Sequence, residues 1–177
     1  NSRKEQAHPE VNDLLAAFSN LIFYQKLGIL GDIEAHHLFE VFSAFLIVLG
    51  VSIFVYLKLG AFSSIVSALS LSIYPLFFSE SHFNIKDPPL AAFYGLTIIL
   101  FYLGITKKSG KLIFLSSLFA GLAVGTKFNA FFVFFVIFIW PTFYLLKNRP
   151  KKFSLRKILR NNKKLLAAVL LGPFFAG

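Results

Sequence analysis

Five side chains of this 177-residue sequence are of the types that move protons or hold phosphate: Glu80, His82, Lys86 and Asp87 in "SESHFNIKDPPL", and Lys127 in "GLAVGTKFNA". A carboxylate can orient or deprotonate a hydroxyl. Lysine and histidine can meet the charge of a departing phosphate, and so can a divalent cation held by a carboxylate. All five stand at the edges of apolar runs, where an ionised group costs a few kcal/mol unless it is paired or hydrated. One reading is therefore a wet, functional cavity. The other is that Lys86 and Asp87 sit among lipid head groups, with Asp87 favouring the start of the next helix. Lys127 has the same two readings: snorkelling to an interface, or binding a phosphate beside a Gly-Thr turn, where Gly121 and Gly125 allow close backbone approach. His82 has no second histidine at metal-ligand spacing, and Glu80 reads equally well as an interface residue.

The elements that must position these groups are membrane helices. A chain with 56% hydrophobic residues, 24 Phe and a mean hydropathy of +0.71 carries more apolar surface than a soluble domain of this length can bury. The absence of Cys excludes disulfide frameworks, thiolate metal sites and cysteine nucleophiles. The sequence has no Met and ends in an apolar run, so it reads as a fragment, and a signal peptide is not to be sought at its start.

We expect an all-α, multispanning protein with about six spans, at roughly 20 apolar residues per crossing. Residues 41–57 and 59–79 are divided only by Lys58, and one helix over both would run about 58 Å, nearly twice the hydrocarbon thickness. They must form a hairpin, with Gly60 at the turn. Residues 88–106 follow, with Pro88 and Pro89 suited to the first turn, then 112–126 and 128–146. The organisation expected is an outer-face loop over 1–40, five transmembrane helices within 41–146, a basic cytoplasmic loop over 147–164, and the start of a further span over 165–177.

Orientation follows from charge. All eight acids precede residue 88, and 13 of the 18 basic residues follow it. Lys58, then Lys107, Lys108 and Lys111, then the run from Lys147 to Lys164 mark every second loop, as expected of cytoplasmic segments. Asp87, Lys127 and the segment before Val41 then share the outer face. Within that segment Val11, Leu14, Leu15, Phe18 and Ile22 keep a helical stripe with Asn12, Asp13 and Asn20 off it. This predicts a helix lying in the interface, or a soluble amphipathic helix packed on a neighbouring domain.

Taken together, "HPEVNDLLAAF", "NIKDPPLAAF" and "FAGLAVGTKFNA" resemble the membrane glycosyltransferases of the C superfold, in the protein O-mannosyltransferase and aminoarabinose transferase group. The resemblance covers most of the chain. It implies a multi-pass enzyme of the cell membrane that takes a hexose-type sugar from a polyprenyl-phosphate donor at the outer face and gives it to a protein, lipid or glycan. Asp87 matches the acidic residue of the second outer loop and would be catalytic, positioning the acceptor or a divalent metal ion. Lys86, Lys127 and His82 would meet the donor phosphate, and Glu80, Asn84 and His8 would contact the acceptor or shape the loop. His8-Pro9 starts a His-Pro-Pro motif that departs here to His-Pro-Glu, and the family's principal carboxylate would fall upstream of Asn1.

Other classes fit less well. The run from Lys147 to Lys164 has one aromatic, Phe153, and no nucleic-acid module around it; attraction to anionic lipid explains it more simply. A transporter would place ionisable groups at the bilayer midplane in discontinuous helices. A non-catalytic scaffold would leave the grouping of Glu80, Lys86, Asp87 and Lys127 on one face without explanation.

Overall fold

A computed structural model describes residues 11–147, and every regular element among them is helical. Helix α1 (Val11–Asn20) runs into a π-helical turn (Leu21–Lys26), followed by α2 (Asp32–Leu59), α3 (Ala61–Ser72), α4 (Pro75–Phe83), α5 (Asp87–Thr106) and α6 (Gly110–Thr126). A short 3-10 turn (Phe128–Phe131) then leads into α7 (Phe132–Lys147). His8, residues 148–164 of the basic run and the expected span from residue 165 lie outside the described residues.

Helix α2 begins nine residues before Val41, because Gly31 is extended and Asp32 and Glu34 occupy the first turn, where acids complement the helix dipole. Its 28 residues measure about 42 Å, so it outruns a ~30 Å hydrocarbon core. Glu40, expected in a loop, is wholly buried on this helix. It lies 2.8 Å from His37 Nδ1 through Oε2, while Oε1 has no hydrogen-bond partner among the described residues.

The expected hairpin is present. Gly60 adopts φ +87°, a left-handed conformation that only glycine takes without strain, and turns α2 back into α3. Ser64 Oγ donates to the Ser52 carbonyl oxygen at 2.8 Å and meets Ser52 Oγ at 2.9 Å, closing the pair from within. The second stretch is not one helix. Pro75 lacks an N–H and forces Tyr74 out of the helical region (ψ 116°), so α3 and α4 meet at a 59° bend.

Helix α5 is the centre, packed against α2 on one side and α6 on the other. Small residues let the backbones close in: Gly95 receives Ile47, Gly50 receives Leu96, and Gly104 receives Ile113. Ser116 Oγ donates to the Thr97 carbonyl oxygen at 2.8 Å, a buried link between α5 and α6. At the far end from Asp87, the Lys58 ammonium sits 4.6 Å from the centre of the Tyr102 ring, a cation–π contact between the ends of α2 and α5. The outside of the bundle is apolar, with Phe62, Ile73 and Phe138 each largely exposed. That is the surface of a protein whose solvent is lipid. Helices α2 and α5 are long and apolar enough to cross a membrane, and the bent α3–α4 pair makes a third if it counts as one span; α6 and the apolar part of α7 are shorter.

Helix α1 is present where a helical stripe was expected. Asn12, Ala16 and Asn20 form its buried face, whereas Leu14 is 72% and Phe18 59% exposed. Asn20 Nδ2 donates to the Asp32 carbonyl oxygen (2.9 Å) and to its carboxylate Oδ1 (2.6 Å), which pins the end of α1 to the start of α2. The reason is the medium: beside an apolar exterior, a helix gains by burying the groups that hydrogen-bond and showing its hydrocarbon outward.

Candidate functional site

The turn between α4 and α5 is organised by Asn84. Its backbone is extended, and its Oδ1 accepts the N–H groups of Lys86 (3.0 Å) and Asp87 (3.1 Å), two donors that α5 leaves free at its start. Pro88 and Pro89 come next and have no N–H to satisfy. The side chain that caps α5 is therefore Asn84, and the Asp87 carboxylate is released to face elsewhere.

Both Asp87 oxygens are engaged. Oδ2 accepts from Asn84 Nδ2 at 2.8 Å, and Oδ1 accepts from the Lys127 ammonium at 3.0 Å. The second hydrogen of the same Asn84 amide goes to Glu80 Oε2, 2.6 Å away. A continuous polar chain thus runs Glu80–Asn84–Asp87–Lys127, across the ends of α4, α5 and α6. The ion pair joins residues 40 apart in sequence, and its side chains are 45% and 44% exposed, so it contributes no more than about 1 kcal/mol to stability. Its position is more telling than its strength: an anion arriving from outside can reach both partners.

Lys127 owes its place to the end of α6. It is extended (φ −154°, ψ 128°), its N–H still bonds Ala123 O at 3.1 Å, and the 3-10 turn begins immediately after it. The two residues before it contact α1. A Cβ on Gly125 would meet Val11 Cγ2 at 2.5 Å, so a larger residue there would push Val11 and α1 away. Thr126 Oγ1 shares its proton between Asn12 Oδ1 (2.8 Å) and the Leu122 carbonyl oxygen (2.9 Å), and Asn12 Nδ2 donates to the Ile85 carbonyl oxygen at 3.3 Å.

Of the residues singled out in the sequence, Glu80, Asn84, Asp87 and Lys127 come together. Lys86 joins through its backbone N–H, and its half-buried side chain lies one residue from Asp87. His82 does not join: its exposed ring lies on Phe78 (4.7 Å between centroids), with Nδ1 2.8 Å from the Phe78 carbonyl oxygen and 3.0 Å from Ser81 Oγ. Among the described residues no group of three His, Asp or Glu converges as a metal site. Asp87 and Glu80 offer two carboxylates, one of them already facing the Lys127 ammonium.

Sequence reasoning misses Asn12 and Thr126. The apolar stripe leaves Asn12 off its face and gives it no role, yet the residue is 1% exposed and touches the segments that carry both Asp87 and Lys127. The signal is the spacing Asn12–Ala16–Asn20, two amides and a small residue four apart, which marks one face of a helix as readily as a hydrophobic stripe does.

Comparison with curated proteins and with solved structures gave no match. The profile of a family described as dolichyl-phosphate-mannose-protein mannosyltransferase aligns with residues 8–176, a stretch that takes in α1, the Asp87 turn and the Gly125-Thr126-Lys127 corner alike. An apolar helical bundle with a carboxylate–ammonium pair open at one end is thus, by that match over nearly its whole length, a member of the dolichyl-phosphate-mannose-protein mannosyltransferase family of membrane glycosyltransferases.

Proposed function

We propose that this end of the bundle is the donor-phosphate and acceptor site of a transferase that takes a hexose from a polyprenyl-phosphate carrier, on the outer face of a cell membrane, with a protein, lipid or glycan hydroxyl as acceptor. The observation that carries the reading is the half-exposed Lys127–Asp87 pair. Asp87 holds the acceptor hydroxyl, a carboxylate takes its proton, and the hydroxyl oxygen bonds to the anomeric carbon of the sugar. The bond from that carbon to the phosphate oxygen breaks, and polyprenyl phosphate leaves with the electron pair. Lys127 and Lys86 meet the phosphate charge. An arriving phosphate competes for the Lys127 ammonium, so donor binding itself frees Asp87 to take the acceptor. Glu80 and Asn84 keep Asp87 aimed during the exchange.

A divalent cation would have to take Asp87 and Glu80 with the phosphate supplying further oxygens, a set that suits magnesium. We expect purified full-length enzyme to release polyprenyl phosphate from one member of a panel of radiolabelled polyprenyl-phosphate sugars, and the same assay in EDTA separates the lysine route from the metal route. Release from none of them, in protein shown to be folded, would reject the reading.

The outer-face assignment rests on the charge argument over the roughly six spans expected of this sequence. In intact cells, a cysteine introduced as Phe83→Cys is expected to react with an impermeant thiol reagent, and one introduced as Ser109→Cys to be shielded. The reverse pattern would put the site on the cytoplasmic side. The broken α3–α4 helix superficially suits a transporter, but Ile73, Tyr74 and Pro75 at the break bring no ionisable carboxylate or amine to it.

A further inference from the structure

We propose that Asn12 is a positioning residue that sets the separation of Asp87 and Lys127, which makes α1 a working wall of the site rather than a cover over it. The proposal rests on the reading of that pair as the phosphate and acceptor site. One planar amide reaches both halves: Nδ2 donates to the carbonyl oxygen of Ile85, two residues before Asp87, and Oδ1 accepts from the hydroxyl of Thr126, the residue before Lys127. That hydroxyl shares its one proton with the Leu122 carbonyl oxygen 2.9 Å away. The group is 1% exposed, so water does not compete for either bond. Packing of α5 on α6 fixes the helices along their length, but at this end two polar links cross between them among the described residues. One is the ion pair itself, which must open when a phosphate claims Lys127. The other is Asn12, which stays closed when it does. Helix α1 is fit for the task because it is held at both ends, by Asn12 here and by Asn20 on Asp32, and because Gly125 admits Val11 beside the bond.

The test uses full-length enzyme carrying Asn12→Ala, Thr126→Val, the pair together, or Thr126→Ser. It measures kcat and KM for the donor and, separately, the distance between nitroxide labels at Phe83→Cys and Phe128→Cys, two exposed positions flanking the site. Asn12→Ala and Thr126→Val are each expected to lower kcat/KM by about 10- to 100-fold, the scale of a roughly 1 Å misplacement of a reacting group. The double variant should be no worse than the poorer single, because both cut one tie. Thr126→Ser keeps the hydroxyl and should stay within about twofold by the same reasoning. The label distance should broaden in Asn12→Ala and remain narrow in Thr126→Ser. A merely structural role predicts less folded enzyme, with kcat per folded enzyme unchanged. An unchanged label distance in Asn12→Ala overturns the proposal whatever the activity. If Asp87→Asn and Lys127→Ala prove fully active, the site reading fails first; a broadened distance then marks Asn12 as a structural tie only, and the positioning role falls.

Discussion

Asp87→Asn in the full-length enzyme is expected to lose at least about a hundredfold in kcat while its thermal stability barely moves. The loss is that of a charge-stabilising or acceptor-orienting group at a reacting centre, for which a hundredfold is about the lower end. The geometry makes the carboxylate hard to imitate. Both of its oxygens accept, one from Asn84 Nδ2 and one from Lys127 Nζ. An amide of the same shape accepts on one side only, so it turns its own N–H toward one of those two donors. Stability is spared for two reasons. The pair is half exposed and contributes at most about 1 kcal/mol, and the cap of α5 is provided by Asn84 Oδ1, which the substitution leaves in place. Thermal melts and single-turnover rates on the same preparation check both halves. Normal turnover in a variant of normal stability would remove Asp87 from the chemistry.

Lys127→Ala should fail differently. A charge-assisted hydrogen bond to phosphate contributes about 1.5–3 kcal/mol, so KM for the donor should rise about 10- to 150-fold, with kcat the lesser casualty. A cation that holds the phosphate alike in the bound donor and in the transition state acts on binding more than on turnover. Lys127→Arg keeps the charge but brings a planar fork in place of a compact ammonium, and it should recover only part of the loss. Initial rates over a range of donor concentrations separate the two parameters. A fall in kcat at constant KM would instead place Lys127 against charge that develops only as the bond breaks.

The meeting of Asp87 with Lys127 is legible in the sequence, since counting uncharged stretches puts both at the same end of the bundle. The α2–α3 hairpin is legible too, because one charge and one glycine interrupt a run too long for a single crossing. The bend at Pro75 is visible in the letters but escapes the count of uncharged residues, which passes over a proline that breaks the helix without adding charge. The inward face of α1 is not legible, because periodicity reports which residues share a face, not what lies outside it. The cap provided by Asn84 and the tie made by Asn12 depend on atoms that only the folded turn brings within 3.3 Å of each other.

The bond from Thr126 to Asn12 joins residues 114 apart, and that interval is also a delay. At about 5–20 residues per second, a ribosome that has made Asn12 needs roughly 6 to 23 s more before Thr126 exists. Through that time the Asn12 amide lacks its hydroxyl partner, and Asp87, once made, lacks its ammonium. The outward Leu14 and Phe18 give the waiting helix a lipid surface to rest against. A nascent chain that stops short of the Gly125-Thr126-Lys127 corner carries Asp87 without its ion-pair partner and Asn12 without its hydroxyl.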